Sequence, residues 1–323
     1  MKRRKLDDYT NLLQLATRQF VAIGIPSPRK LLNAAHVLLE LRARRTVLRS
    51  KPVVLKLEPS SFCNLRCPYC HPDGNSFGGI MTEETFQFLL TRIPLQSFLK
   101  CSLYMLGEPM MNKNLHKMAH AFTRRGIPTG ISTNMHLCDK RGVEALLDSG
   151  LTWVLICIDG ADQETYEQYR VRGSLQKVIE NTTLLVESRK ARGARRPIIE
   201  IAAIEFNHNR HQIGEIERLS RNLGADRFTV KRDVFNQIDQ LATGSQKRCR
   251  TCYFLYESFC VDYDGSVVPC CIYRYPFGNL YEQTFEEIWN NEKFVAARAW
   301  FASGRGIKDD RFDLPCYVCP LFK

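Results

Sequence analysis

Residues 57–70 read LEPSSFCNLRCPYC, which places three cysteines within eight positions: Cys63, Cys67 and Cys70. The stretch begins at the end of a short apolar run, Val53–Leu57, that predicts a β-strand. Three thiolates this close can bind the same metal ion or metal cluster. Soft sulfur ligands select zinc or iron–sulfur clusters over hard cations. Three ligands leave one iron of a four-iron cluster open, whereas a structural zinc site needs a fourth ligand. His71 is available as that fourth ligand, so the spacing alone leaves a Cys3His zinc site open.

Beyond this loop, short β-prone runs alternate with helical ones, and glycines such as Gly126, Gly150 and Gly224 stand where helices should end. Six strand–helix units in succession predict an α/β fold with a parallel sheet, open or partly closed as a barrel. Ligands of such folds gather at the carboxyl ends of the strands. The predicted strands are Val53–Leu57, Cys101–Met105, Thr129–Thr133, Trp153–Ile158, Ile198–Phe206 and Arg227–Lys231. The predicted helices lie near residues 82–92, 113–125, 139–148, 162–190 in two pieces, and 209–223.

The composition is that of an ordinary globular chain, with 323 residues, 44% hydrophobic and 25% charged. It supports a substantial buried core and excludes a disordered or fibrous protein. Thirteen cysteines are too few for a small disulfide scaffold. No signal peptide and no apolar run of about 20 residues is apparent. We therefore expect a cytoplasmic protein whose clustered cysteines bind metal or act in catalysis.

The net charge of +12 is concentrated in residues 1–51, which carry +9 of it. Residues 29–49 predict an amphipathic helix with arginines crowding its end. Its basic end is either simply solvated or in peripheral contact with an anionic membrane surface or another polyanion. The predicted apolar stripe consists of Leu31, Leu32, Ala35, Leu38, Leu39 and Leu41. The predicted domains are a basic helical leader at 1–51, a barrel at 52–235 and a cysteine-rich domain at 236–323.

The C-terminal segment combines a predicted hairpin with many cysteines. Asp264-Gly265 lies between two β-prone runs and predicts a hairpin, and a helix is expected from Thr284 to about Phe301. The spacing allows either a zinc ribbon or an auxiliary iron–sulfur cluster, because two CxxC pairs are present. The cysteines here are Cys249, Cys252, Cys260, Cys270, Cys271, Cys316 and Cys319.

The stretch from Leu57 to Cys70 resembles the signature loop of radical S-adenosylmethionine (SAM) enzymes. The resemblance implies a [4Fe–4S] cluster on the three cysteines, with its open iron chelating SAM. It further implies that SAM is cleaved reductively to a 5′-deoxyadenosyl radical that abstracts hydrogen from the substrate. A partial (β/α)6 barrel and a flavodoxin- or ferredoxin-like electron donor belong to the same expectation.

Further segments resemble the SAM-binding elements of that family. Residues 106–109 are similar to its GGEP element, residues 132–134 to its TNG-like strand end, and residues 158–175 to a segment whose arginine reaches the SAM carboxylate. The sequence departs from the family where glycine, glycine and serine are usual, at Leu106, Met135 and Cys157. The implied SAM-binding residues are Tyr69, Gly107, Glu108, Asn134, Asp159 and Arg170.

The C-terminal segment resembles the SPASM/Twitch extension of radical SAM enzymes, a small α+β domain that holds auxiliary clusters. Its spacing is most similar to the single-cluster Twitch form, as in the aminocyclitol dehydrogenase of butirosin biosynthesis. Cys249 and Cys271 are alternatives to their neighbours as ligands, and Cys260 is expected to be a buried structural thiol. The implied ligands of this second [4Fe–4S] cluster are Cys252, Cys270, Cys316 and Cys319.

These expectations describe an enzyme that abstracts hydrogen from a small polar, carbohydrate-like or lipid-linked substrate, with oxidation favoured by the Twitch likeness. Arg232 and Asp233 follow the sixth strand and are candidate catalytic residues, or else an ordinary strand-end ion pair. A peptide maturase, an epimerase and a carbon–carbon bond-forming enzyme are alternatives. A zinc-binding, nucleic-acid-interacting protein is the alternative from another class, although the nearly balanced charge outside the leader argues against nucleic acid.

Overall fold

Residues 26–68, 70, 78–232, 251–271, 274–303 and 306–319 are described by the computed structural model. The chain divides into two units, each described within those ranges. The terminal unit comprises residues 1–57, 83–102 and 240–323, and the central unit comprises residues 58–82 and 103–239. Among the described residues, no helix is both long enough and apolar enough to cross a membrane.

Strands and helices alternate along the first two thirds of the chain, which confirms the α/β class. The strands are β1 (Val54–Leu57), β2 (Lys100–Ser102), β3 (Thr129–Thr133), β4 (Trp153–Cys157), β5 (Ile198–Glu205), β6 (Arg227–Arg232), β7 (Ser258–Val261), β8 (Ser266–Val268) and β9 (Gly278–Asn279). The helices are α1 (Pro28–Arg42), α2 (Glu83–Arg92), α3 (Leu115–Thr123), α4 (Lys140–Asp148), α5 (Gln163–Tyr169), α6 (Leu175–Ala191), α7 (Ile213–Asn222), α8 (Phe254–Glu257), α9 (Phe285–Trp289) and α10 (Glu292–Ala302).

The central unit is built on the parallel strands β3, β4, β5 and β6, which lie side by side in that order. Their apolar side chains, such as Ile131, Val154 and Ile201, are fully buried. Helices α4, α5 and α6 each begin at an Asp or Ser whose side chain accepts a backbone N–H of the first turn. Capping of this kind satisfies donors that have no partner within the helix. The carboxyl ends of the parallel strands therefore lie at one edge of this sheet.

The terminal unit contains a mixed sheet in the order β2, β1, β7, β8, β9. Strand β1 is parallel to both β2 and β7, and β7 forms an antiparallel hairpin with β8. Gly265 adopts a φ of +84° in the hairpin turn, a conformation that glycine reaches without steric cost. The hairpin predicted at Asp264-Gly265 is confirmed.

The predicted helix at 29–49 is shorter in the structure and presents a different face. Helix α1 ends at Arg42 because the buried carboxylate of Glu40 accepts the backbone N–H groups of Arg49 and Ser50, at 2.7 and 3.1 Å, and so turns the chain back. Most of the predicted apolar stripe is not the packed face. Leu41 of that stripe is buried together with Val37 and Glu40, whereas Leu31, Leu32 and Leu39 are exposed.

The helix predicted from Thr284 to about Phe301 is split into α9 and α10. Thr284 caps the first with a reciprocal capping box. The break falls at Asn290 and Asn291: the Asn290 side chain binds the backbone of Leu48 on both sides, and Asn291 accepts the N–H of Phe294 to cap the second helix. Side-chain amides that compete for backbone groups interrupt a helix in this way.

Arg298 of α10 is fully buried and holds several segments of the terminal unit together. Its guanidinium donates hydrogen bonds of 2.9–3.2 Å to three backbone carbonyls, and its Nη1 also contacts Asn290. It lies over the ring of Trp289 at 4.6 Å. Burial lowers the pKa of Arg298 to about 9, because the charged form loses its hydration. The carbonyls that it binds are those of Thr46, Leu255 and Trp289.

We predict that Arg298→Met lowers the free energy of unfolding by at least about 3 kcal/mol, since it leaves three carbonyls without their donor at roughly 1–3 kcal/mol each. Anaerobic urea unfolding measures the change. Arg221→Met is the matched control, because Arg221 makes an exposed contact with Glu217 on α7 and its loss should cost under about 1 kcal/mol. Equal destabilisation by the two substitutions would contradict a special role for Arg298.

Candidate functional site

The cysteine loop of the central unit is fixed by Glu58, the first residue after β1. Its buried carboxylate accepts the backbone N–H groups of Leu106 and Gly107 at 2.8 and 2.9 Å, and the N–H of Glu108 binds the Phe62 carbonyl at 2.9 Å. A Cβ at Gly107 would lie 2.0 Å from the Ser60 carbonyl oxygen, so only glycine fits there. Two of the predicted elements, the cysteine loop and residues 106–109, are therefore in direct backbone contact. The departure at Leu106 does not disturb this contact, because Leu106 takes part through its main chain.

The three cysteines of this loop lie on an apolar wall. Cys67 is buried with Leu65, Tyr169 and Phe206, and Cys63 and Cys70 pack against the same group. Burial raises the pKa of the Cys63 thiol to about 11. A hydrogen bond between Cys67 and Cys70 raises the pKa of Cys67 and lowers that of Cys70 to about 7. The structure thus brings all three predicted sulfur ligands together.

Glu108 lies between this loop and the end of β3. Its carboxylate accepts hydrogen bonds from the Thr133 hydroxyl and the Asn134 backbone N–H, both at 2.8 Å, and from the Met110 backbone N–H at 3.1 Å. Burial raises the pKa of Glu108, and these hydrogen bonds oppose the shift by favouring the carboxylate. A buried carboxylate that faces the cysteine loop is suited to bind an ammonium group.

The loop after β3 has the backbone conformation expected of the family, although Met135 stands where glycine is usual. Met135 has a φ of +63°, the left-handed conformation that glycine usually provides, and its side chain is fully buried. Asn134 donates from Nδ2 to Cys63 Sγ at 3.7 Å. His136 clamps this loop to the next one, since its Nε2 accepts the Ser174 N–H at 2.8 Å and its Nδ1 contacts the Asn134 carbonyl at 2.9 Å.

Asp159 and Arg170 form a buried ion pair beyond the end of β4. Arg170 Nε lies 2.6 Å from Asp159 Oδ2, and Arg170 Nη1 lies 3.7 Å from Cys67 Sγ. The second carboxylate oxygen accepts the Ile204 N–H at 2.6 Å. Arg170 therefore reaches the cysteine site directly, and Asp159 is linked to it through Arg170. Cys157, at the end of the same strand, lies 3.5 Å from the Ser132 hydroxyl and is partly buried.

Several predicted residues lie outside the described part of the chain. Tyr69, His71, Cys249 and Asp233 fall there, and the side chain of Arg232 is likewise not described although its backbone ends β6. The roles assigned to these residues stay predictions.

Six cysteines of the C-terminal segment lie in the described part of the chain. Burial raises the pKa of Cys252, and the nearby thiols of Cys270, Cys316 and Cys319 raise it further. Cys260 is buried in β7, and its pKa is raised by burial and, further, by the nearby thiols of Cys271 and Cys270. Cys271 Sγ accepts a hydrogen bond from Lys56 Nζ at 3.5 Å. Within the described ranges, no three Cys, His, Asp or Glu side chains meet around a single ion, but a four-iron cluster is larger and is bound at separate corners.

Both cysteine groups fit an iron–sulfur cluster. Their burial penalises a free thiolate, and coordination to iron offsets that cost. In the central unit, N–H groups of Leu65, Asn134 and Arg170 point at cysteine sulfurs at 3.4–3.7 Å, as expected of ligands that carry negative charge. Three cysteine ligands there would leave a fourth corner for another ligand, and four in the terminal unit would close the cluster.

Comparison with known protein families supports the same interpretation. The Radical SAM superfamily matches residues 57–194, and the SPASM iron–sulfur cluster-binding domain matches residues 235–320. The chain is a radical SAM enzyme with a SPASM domain. It therefore binds SAM and two [4Fe–4S] clusters. The zinc sites and the zinc-binding nucleic-acid protein considered from the sequence are thereby set aside.

Similar proteins include enzymes with different substrates. The tungsten-containing aldehyde ferredoxin oxidoreductase cofactor-modifying protein of Pyrococcus furiosus is 25% identical in an alignment 298 positions long. The alignment covers 76% of this chain and 82% of that protein. The structure of Streptococcus suis SuiB bound to its precursor peptide SuiA is similar with a TM-score of 0.62 at 16% identity, over 90% of this chain and 78% of that one. The structure of BtrN in an open conformation is similar with a TM-score of 0.50 at 17% identity, over 84% of this chain and 94% of that one. The two structural likenesses show the fold.

Two residues of the radical SAM site were not predicted from the sequence. Glu58 fixes the loop that carries Glu108, and His136 joins the loops that carry Asn134 and Arg170. A carboxylate directly after an apolar strand was the available signal for Glu58. His136 had none, because its partner Ser174 is distant in the sequence.

We predict that Gly107→Ala weakens SAM binding at least about tenfold, since the added methyl group collides with the Ser60 carbonyl and displaces Glu108. Equilibrium dialysis with the anaerobic protein measures the dissociation constant. Gly214→Ala in α7 is the matched control: its Cβ meets nothing within 4 Å, so SAM binding should be unchanged. Unaltered binding by the Gly107 variant would contradict the assignment of this loop.

Proposed function

We propose that this enzyme abstracts hydrogen from a small polar substrate, carbohydrate-like or lipid-linked, and oxidises it by two electrons. Bound at Cys63, Cys67 and Cys70, the cluster and SAM supply the 5′-deoxyadenosyl radical. The observation that carries the assignment is the convergence of the buried Cys67 and the half-buried Cys63 and Cys70 with three polar side chains of the central unit, those of Glu108, Asn134 and Arg170.

The chain's own residues have distinct roles in the proposed reaction. Glu108, a buried carboxylate held at the end of β3, binds the SAM ammonium group, and Arg170 contributes positive charge near the cysteines. The apolar wall of Leu65, Tyr169 and Phe206 excludes water from the cysteines. Tyr69 is proposed to lie near the adenine, and Arg232 and Asp233 remain candidate catalytic residues.

The auxiliary cluster supports oxidation as the outcome. Cys252, Cys270, Cys316 and Cys319 are proposed as its ligands; Cys316 is buried and the other three are half-buried. A cluster with every corner occupied by protein is suited to electron transfer. When bound there, the cluster would supply an acceptor for the second electron removed from the substrate, and a flavodoxin- or ferredoxin-like protein would deliver the first electron to the SAM site.

Peptide modification is the second candidate function. SuiB, whose structure was determined with its precursor peptide, is similar in fold to this protein, and the similarity covers 90% of this chain. Mass spectrometry separates the two candidates, because oxidation of a metabolite removes two hydrogens from a small molecule whereas a maturase alters a much larger precursor. The boundaries 1–51, 52–235 and 236–323, a cytoplasmic location and contact of the leader with an anionic membrane stay predictions.

The first test concerns the SAM site. Anaerobically purified protein should contain about eight iron atoms per chain, from two four-iron clusters, and should form 5′-deoxyadenosine from SAM when reduced. The triple variant with Cys63, Cys67 and Cys70 each changed to Ala should keep about four iron atoms and form no 5′-deoxyadenosine. Continued formation of 5′-deoxyadenosine by that variant would falsify the proposed cluster site.

The second test uses two neighbouring cysteines as a matched pair. Cys270→Ala should lower the iron content to about four atoms and abolish substrate oxidation while SAM cleavage persists. Cys271→Ala should retain about eight iron atoms, because Cys271 lies outside the proposed ligand set and its Sγ accepts a hydrogen bond from Lys56. The reverse pattern would assign Cys271 as the ligand in place of Cys270.

A further inference from the structure

Arg170 makes two different contacts with one guanidinium group. Its Nε binds Asp159 at 2.6 Å, and its Nη1 points at Cys67 Sγ at 3.7 Å, a normal separation for so large an acceptor atom. The planar fork of arginine allows both contacts at once, whereas a lysine ammonium acts as a point charge. Asp159 is fully buried and Arg170 nearly so. The pair is therefore held in a low-dielectric region beside one cysteine.

The backbone fixes this arrangement. Arg66, directly before Cys67, donates its N–H to the carbonyl of Val171, directly after Arg170, at 3.1 Å. Asp159 is held from the other side, because its second oxygen accepts the Ile204 N–H and its carbonyl accepts the Asn209 side chain. The backbone bond between Arg66 and Val171 and the contacts that hold Asp159 thus fix the position of the guanidinium relative to Cys67.

We propose that Arg170 raises the reduction potential of the SAM-binding cluster through its hydrogen bond to Cys67 Sγ. The inference rests on the proposed ligand set of Cys63, Cys67 and Cys70. Reduction adds negative charge to a cluster and its thiolates, so an N–H donor at a sulfur stabilises the reduced form more than the oxidised form. Asp159 cancels the net charge of the pair but not its local field, because its carboxylate is bound on the side of Nε, away from the arm that meets the sulfur.

The contact at Cys67 differs in kind from those at Cys63. Cys63 Sγ receives neutral donors, the Leu65 N–H at 3.4 Å and the Asn134 amide at 3.7 Å. A charged donor forms a hydrogen bond roughly twice as strong as a neutral one. Arg170 is in this sense a positioning residue, which acts on the cluster through its ligand.

The test is an anaerobic redox titration of the full-length protein loaded with clusters, followed by electron paramagnetic resonance. The signal of the SAM-binding cluster is identified by its change when SAM is added. The double variant Asp159→Asn with Arg170→Gln keeps the net charge of the site. At the wild-type midpoint potential, we expect its ratio of reduced to oxidised cluster to fall about tenfold, which corresponds to a midpoint about 59 mV lower for a one-electron couple.

Arg170→Lys serves as the second variant and decides the question if the double variant does not retain its cluster. It keeps the positive charge near Asp159 but loses the fork, so we expect a fall in the same direction. The matched control is Arg189→Gln, which breaks another arginine–aspartate pair of the central unit, with Asp226. That variant should lose stability and keep the wild-type potential.

The outcomes separate this inference from the proposed function. An unchanged midpoint potential in a variant that retains its cluster would overturn the inference and leave the pair with a structural role alone. A wild-type protein without any SAM-responsive cluster signal would instead refute the proposed function.

Discussion

Glu58 accepts two backbone hydrogen bonds, from Leu106 and Gly107, and the proposed SAM site is built around this contact. A buried carboxylate needs donors, and backbone N–H groups need acceptors, so each satisfies the other where water is excluded. The absence of a side chain at residue 107 lets the two loops touch. The backbone contact between Phe62 and Glu108 follows in the same segment, and residue 106 takes part in this packing through its main chain.

Both units use a buried arginine, but for different purposes. Arg298 in the terminal unit binds carbonyls of several segments, so its charge is spread over neutral acceptors. Arg170 in the central unit is paired with Asp159 and directs one remaining arm at Cys67. A buried guanidinium costs free energy unless its donors are used. The partners of each arginine therefore indicate its role. Carbonyl partners indicate that Arg298 joins segments of the fold, and the sulfur partner indicates that Arg170 acts on a cysteine of the proposed cluster site.

The strands and most helices were predictable because their apolar periodicity and terminal glycines are local properties. The two helices that differ, at 29–49 and 284–301, were altered by side chains that capture distant backbone groups. Glu40 binds Ser50 and ends the first, and Asn290 binds Leu48 and interrupts the second. Likewise the cysteine spacing identified the ligand candidates, but only the fold shows that Cys271 accepts a hydrogen bond from Lys56.

The sequence by itself determined the α/β class, the radical SAM and SPASM domains, and the cofactors, because these depend on motifs of a few neighbouring residues. The tertiary structure alone decided which groups meet across the chain. Glu58 with Gly107, His136 with Ser174, and Arg170 with Cys67 are separated by 38 to 103 positions. No periodicity or spacing encodes such contacts, since they arise when strand ends converge and buried polar groups must find partners.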